Sequence, residues 1–217
     1  MKLSLPTWLL KLTGNIYLYK PPMWIVYKPM HHKVKGSEVR SIINVLQDGD
    51  ILLRRYDGYL NTLFTPGFWG HAALYVGNNN VIHAVGEGVI IEDILDFCRC
   101  DSVGVYRPSV TDVNILNAIT TAKNLNNISI RDTSIRNMNT EAVSDAIDTA
   151  NQFYLNNTQY DYKFQKDNGT VYCTELVDRC YNGIFCEDYT TIMGNTILIP
   201  DAISKSKEVS TILEVKH

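Results

Sequence analysis

From Gln47 onward, short apolar runs alternate with turn residues. Gln47-Asp48-Gly49-Asp50 reads as a turn, and Ile51-Leu52-Leu53 opens a strand. His71-Ala72-Ala73-Leu74-Tyr75-Val76-Gly77 is strand-like, Asn78-Asn79-Asn80 is a turn, and Val81-Ile82-His83-Ala84-Val85 is the return strand of a hairpin. Gly86-Glu87-Gly88 turns again, Val89-Ile90-Ile91 follows, and Val103 to Arg107 is a further strand stopped by Pro108. Strands this short, joined by Gly and Asn turns, predict an antiparallel sheet or small barrel. The flanks have helical spacing instead: Val113 to Asn124, Glu141 to Tyr154 with Thr140 as N-cap, and Cys173 to Tyr181. Strands in the middle with helices on both sides predict an α+β domain rather than an alternating α/β one.

The 217 residues suffice for one globular domain with an extension. Residues 1–47 are expected to form an arm and helix packed on the domain, which occupies 48–217. The net charge of -3 comes without a basic patch, which argues against a nucleic acid partner. Cys98, Cys100, Cys173, Cys180 and Cys186 are odd in number and scattered, unlike a disulfide framework. A reducing, cytoplasmic setting is the simpler expectation, and it keeps a thiol usable. Neither a C-x-x-C pair nor a histidine between the later cysteines and His217 offers zinc spacing, so no metal or cofactor is expected.

The first 30 residues are apolar and aromatic but broken by Pro6, Lys11 and Gly14. They make a poor secretory signal and are too interrupted to span a bilayer. Two readings stand: a segment packed on the domain, or a membrane-surface arm with Trp8 and Trp24 at the interface. Sequons at Asn127, Asn157 and Asn168 matter only in a secreted chain.

One short stretch concentrates the chemistry. In Val171-Tyr172-Cys173-Thr174-Glu175-Leu176-Val177-Asp178-Arg179-Cys180, Leu176, Val177 and Cys180 fall on one helical face, which puts Cys173 in the first turn. Unpaired N–H groups and the helix dipole favour a thiolate there, so a lowered pKa is expected. His71 begins a strand after the loop Pro66-Gly67-Phe68-Trp69-Gly70, where a base on a rigid strand could face the nucleophile. A hairpin at the asparagine turn would bring His83 beside His71 to orient its imidazole.

These residues also carry a resemblance. Gly49-Asp50-Ile51-Leu52-Leu53, Gly70-His71-Ala72-Ala73-Leu74-Tyr75-Val76-Gly77 and Val81-Ile82-His83-Ala84 resemble the first half of circularly permuted NlpC/P60 domains. Tyr160-Asp161-Tyr162-Lys163-Phe164 and Tyr172-Cys173-Thr174-Glu175-Leu176-Val177 resemble the second. Histidine before cysteine marks the permuted branch. The chain looks most like the YaeF/YiiX group of permuted papain-like amidases, the C92 peptidases, a group that also takes in poxvirus proteins. The resemblance implies a papain-like fold and a cysteine-dependent amidase or peptidase with Cys173 as nucleophile and His71 as base. His83 takes the place of the third polar residue, where an acidic residue is usual in that group and histidine resembles acyltransferase relatives. Glu87 is an alternative third member. A tyrosine near position 160 implies a hydroxyl close to the oxyanion, and Tyr160 and Trp69 are the candidate substrate-contacting residues. The expected partner is a small-molecule, peptide or acyl-lipid substrate. Acyl transfer, or a non-catalytic module on the same fold, are the alternatives.

Overall fold

The computed structural model describes residues 17–19, 24–26, 32–57, 66–109, 132–165, 168–192 and 194–217, with the backbone alone for 17–19, 24–26 and 132–140. Its first half contains β1 (Tyr17–Tyr19), β2 (Trp24–Val26), α1 (Gly36–Val45), β3 (Ile51–Arg55), β4 (His71–Gly77), β5 (Asn80–Val85), β6 (Gly88–Asp93), α2 (Ile94–Phe97) and β7 (Ser102–Pro108). The second half contains α3 (Asp132–Leu155), α4 (Cys173–Cys180), β8 (Thr190–Ile192), β9 (Asn195–Ile197), α5 (Pro200–Lys205) and β10 (Val209–Val215).

Turn chemistry sets the register of the central meander. Asn78 (φ 52°) and Asn79 (φ 60°) both adopt the left-handed conformation, and Gly77 pairs with Asn80 across them. Asparagine tolerates that region because its short polar side chain bonds locally, and two such residues make the tight turn that suits twisted strands. The turn is one residue shorter than expected, since Asn80 already belongs to β5. At the next hairpin Val85 pairs with Gly88 across Gly86-Glu87. The result is a six-stranded antiparallel sheet in the order β10-β7-β3-β4-β5-β6. The α+β class and the antiparallel sheet thus match the pattern read from the chain, while β10 (Val209–Val215) was not anticipated. It closes the edge by pairing with β7.

Side chains alternate across this sheet with period two. Ile51, Leu53, Ala72, Leu74, Ile82 and Ala84 share a core with Ala146 and Ala150 of α3, Leu176 and Val177 of α4, and Ile203 of α5. Leu52, Ala73, Tyr75, Val81, Val103 and Val105 face the other way, onto Ile42 of α1 and Ile94 and Phe97 of α2. Burying a side chain of the Leu, Val or Ile class contributes roughly 1.5–3 kcal/mol. That gain holds α4, the element with Cys173 at its start, against β4 and β5.

Two features tie the sheet to α3 and α4. Gly49 has φ 86°, and a Cβ there would meet Tyr181 Oη and Val143 Cγ1, each at 2.8 Å. The Tyr181 hydroxyl donates to the Gly49 carbonyl, so glycine allows the close approach. Thr174 Oγ1 donates to the Leu198 carbonyl at 2.6 Å, fastening the first turn of α4 to the segment after β9.

Some expectations change. Thr140 is not an N-cap but lies well inside α3, which begins at Asp132. The expected helix over 113–124 lies outside the described residues, as do Trp8 and most of the N-terminal arm. Among the described residues no helix is long and apolar enough to cross a membrane.

Candidate active site

Cys173 is the first residue of α4, preceded by the cap residue Tyr172 in extended conformation. The Glu175 carboxylate, one turn in, accepts the Tyr172 N–H and pairs with Arg179 at 2.7 Å. This closes the helix start and leaves the Cys173 and Thr174 N–H groups turned toward the sulfur.

A third N–H reaches the sulfur from the sheet. β4 and β5 pair at Leu74↔Ile82 and Tyr75↔Val81 but not further back toward His71 and Val85. The Ala72 N–H, in the separated part of β4, faces the Cys173 sulfur. The nucleophile candidate therefore sits against the peptide that follows His71.

The histidines come from the other side of the sheet. His71 pairs with Arg54, and His83 with Ile90, so by register both rings project with Ala73 and Val81 toward α2. His71 Nε2 and His83 Nδ1 are 2.8 Å apart. Phe97 of α2 backs both rings, at centroid distances of 6.3 and 5.6 Å. Thus the structure brings His71 and His83 together. It leaves Nδ1 as the His71 nitrogen not engaged by His83. Glu87 is exposed in the β5–β6 turn.

Sequence reading missed the next two members of the cluster. Glu92 Oε2 lies 3.3 Å from His83 Nε2 and 2.9 Å from Arg54 Nη1. Arg54 Nη1 also meets the Phe97 carbonyl at 3.4 Å, and its guanidinium covers the Phe97 ring at 4.3 Å. The signal was available: a two-residue turn at Gly86-Glu87 places Glu92 opposite Val81, on the same face as His83 and diagonal to it.

Burial dominates the electrostatics. It drives His71 well below its ordinary pKa of 6.5, and Arg54 and His83 add to that. His83 is lowered less: burial depresses it, Glu92 pulls it back up, and Arg54 depresses it again. Burial raises the Glu92 carboxyl, but His83 and Arg54 together outweigh it, so Glu92 is held low and ionised. The Cys173 thiol is raised by burial, against the opposing pull of the Ala72, Thr174 and Cys173 N–H groups and of Arg54. This corrects the expected thiolate: desolvation of the charged form exceeds what the helix terminus returns. At rest the site holds a neutral thiol and neutral imidazoles.

The remaining candidates diverge. Tyr160 forms a parallel bridge with Val171, and its ring meets Tyr162 edge-to-face with centroids 4.9 Å apart. Burial raises its phenol well above the ordinary value, and a negative charge on Cys173 would raise it further, which puts the two groups within electrostatic reach of each other. Trp69 does not line an open surface: only 2% of it is exposed, packed edge-on against Phe68 and Tyr106, while its backbone N–H donates to Asp201 Oδ1 at 2.6 Å. A ring of that size stabilises the core best when fully enclosed, and here the core has claimed it.

Set beside solved structures, this fold resembles that of metalloprotein yiiX from Escherichia coli O157:H7. The match covers 80% of this chain and 99% of that one, with a TM-score of 0.56 and 16% identity. Among the described residues here, no three His, Cys, Asp or Glu side chains are grouped to hold a metal ion. No curated protein matches the sequence. The profile of the permuted papain-like amidase enzymes, the YaeF/YiiX or C92 family, matches residues 45–130 and 121–215. The chain belongs to that family, and is by that membership a cysteine peptidase or amidase-type hydrolase.

Proposed function

We propose that the protein cleaves an amide or ester through a thioester on Cys173, with His71 as general base. The observation that supports this best is the Cys173 sulfur resting on the Ala72 N–H, next in chain to a histidine whose Nε2 is already engaged by His83. His71 Nδ1 is then the nitrogen that takes the thiol proton, through the opening between β4 and β5. Because thiol and imidazole both rest neutral, proton transfer accompanies attack rather than preceding it.

The sulfur forms a bond to the substrate carbonyl carbon, and His71 returns the proton to the leaving amine or alcohol. A water deprotonated by the same nitrogen then attacks the thioester carbon; the C–S bond breaks, the acid leaves, and His71 returns the proton to the Cys173 sulfur. The Cys173 N–H, with the Tyr160 hydroxyl, would face the oxyanion. The substrate class is a peptide, an N-acyl amine or an acyl lipid.

The test uses p-nitrophenyl acetate on a Cys186→Ser background, because Cys186 is the exposed thiol. Mass spectrometry should find acetyl on Cys173. It should not find it on Cys98 or Cys180, which burial pushes up to about 12. His71→Ala should slow acetylation by roughly 10²–10⁴-fold, the usual contribution of a general base. Wild-type acetylation in that variant would overturn the assignment.

A further inference from the structure

His83 Nε2 is buried with its ring fully inside the protein. Among the described residues it has no aligned hydrogen-bond acceptor, and the Glu92 carboxylate at 3.3 Å is the anion it meets. An ionised carboxylate has no proton to donate. Next to it, hydrogen on His83 Nε2 is favoured and a bare lone pair is repelled. His83 Nδ1 is then an acceptor, and the group facing it at 2.8 Å, His71 Nε2, must carry the hydrogen. One carboxylate thereby determines two tautomers in series.

We propose that Glu92, held by Arg54, is a positioning residue: it fixes both imidazoles as Nε2–H tautomers and so presents His71 Nδ1 unprotonated toward the Cys173 thiol. The proposal rests on the reading of Cys173 and His71 given above. Glu92 touches neither substrate nor thiol; it acts through His83. Arg54 Nη1 at 2.9 Å holds the carboxylate in place and balances its charge, so the array is not left with an unpaired buried anion. The arrangement also accounts for a histidine in the third position. A neutral histidine orients its neighbour but brings no charge of its own, and the anion stands one strand further out.

The charged and titratable groups around His83 are Arg54 from β3, His71 from β4 and Glu92 from β6. Two variants perturb this set in opposite senses. Glu92→Gln removes the anion and should lower the His83 titration midpoint; Arg54→Met removes the cation and should raise it. A residue that merely packs would move neither.

The experiment is long-range ¹H–¹⁵N ring spectroscopy of the whole protein, alongside acetylation of Cys173 by p-nitrophenyl acetate. Wild-type protein should show Nε2–H tautomers on both rings. Glu92→Gln, whose amide both donates and accepts, should show mixed tautomers and roughly 10–100-fold slower acetylation, less than the ~10⁴-fold loss when the residue directly on a catalytic histidine is neutralised. An Nδ1–H tautomer on wild-type His83 would overturn the proposal without any variant. So would wild-type acetylation in a folded Glu92→Gln. If instead the tautomers are as stated, Glu92→Gln mixes them, and neither Glu92→Gln nor His71→Ala alters acetylation, the positioning role and the His71 assignment fall together. If only His71→Ala slows acetylation, the Glu92 role alone falls.

Discussion

Acidification offers a sharp test of the site, because its two histidines are held neutral inside the fold. His83 is fully buried and His71 keeps little surface, and both are depressed from the ordinary 6.5. In the unfolded chain each takes up a proton below about pH 6.5. Between that point and the folded pKa the unfolded state holds more protons, so stability is fully present above about pH 6.5 and is lost as the pH falls. For a histidine still neutral in the fold at pH 5.5, the loss is RT ln(1 + 10), about 1.4 kcal/mol. His71 should supply that amount. His83, drawn back up by Glu92, should add up to the same again, for a total of about 1.4–2.8 kcal/mol against a typical stability of about 5–15 kcal/mol. The carboxylates held low, Asp57, Glu92 and Glu214, titrate below this window. Urea unfolding followed by circular dichroism at pH 7.5 and 5.5 measures the difference, which should appear as a fall in midpoint at constant slope. In a His71→Gln/His83→Gln double variant that fall should be lost. An unchanged wild-type midpoint, or a fall that persists in the double variant, would refute the reasoning.

Two stability measurements probe how α4 is held. Thr174→Val keeps the shape but orphans the buried Leu198 carbonyl now reached at 2.6 Å, and should destabilise by about 1–3 kcal/mol in urea, whereas Thr174→Ser stays near wild type. Gly49→Ala places a Cβ at φ 86° against Tyr181 and Val143, and should cost about 1–3 kcal/mol from the backbone alone. A wild-type unfolding midpoint for either would show that the contact is not stabilising.

Much of this protein was legible along the chain because its signals are local. Alternation of apolar residues, asparagines tolerant of positive φ, and apolar spacing after Cys173 act over a few residues, so they revealed the β4–β5–β6 meander and the start of α4 without a structure. The pairing of His71 with His83 followed from the same hairpin logic. What the tertiary structure decided depends on residues distant in sequence. β10 joins β7 from the far end of the chain, and no short window carries that signal. The Ala72 N–H reaches Cys173 because β4 and β5 part where α4 packs. Trp69, read as a substrate contact, was taken by the core. Most telling is the charge state. A helix start by itself favours a thiolate, and only the packing around Cys173 shows that desolvation exceeds that preference and leaves the thiol neutral. Local sequence sets what a side chain tends to do; the dielectric it ends up in is made by all the elements that close around it.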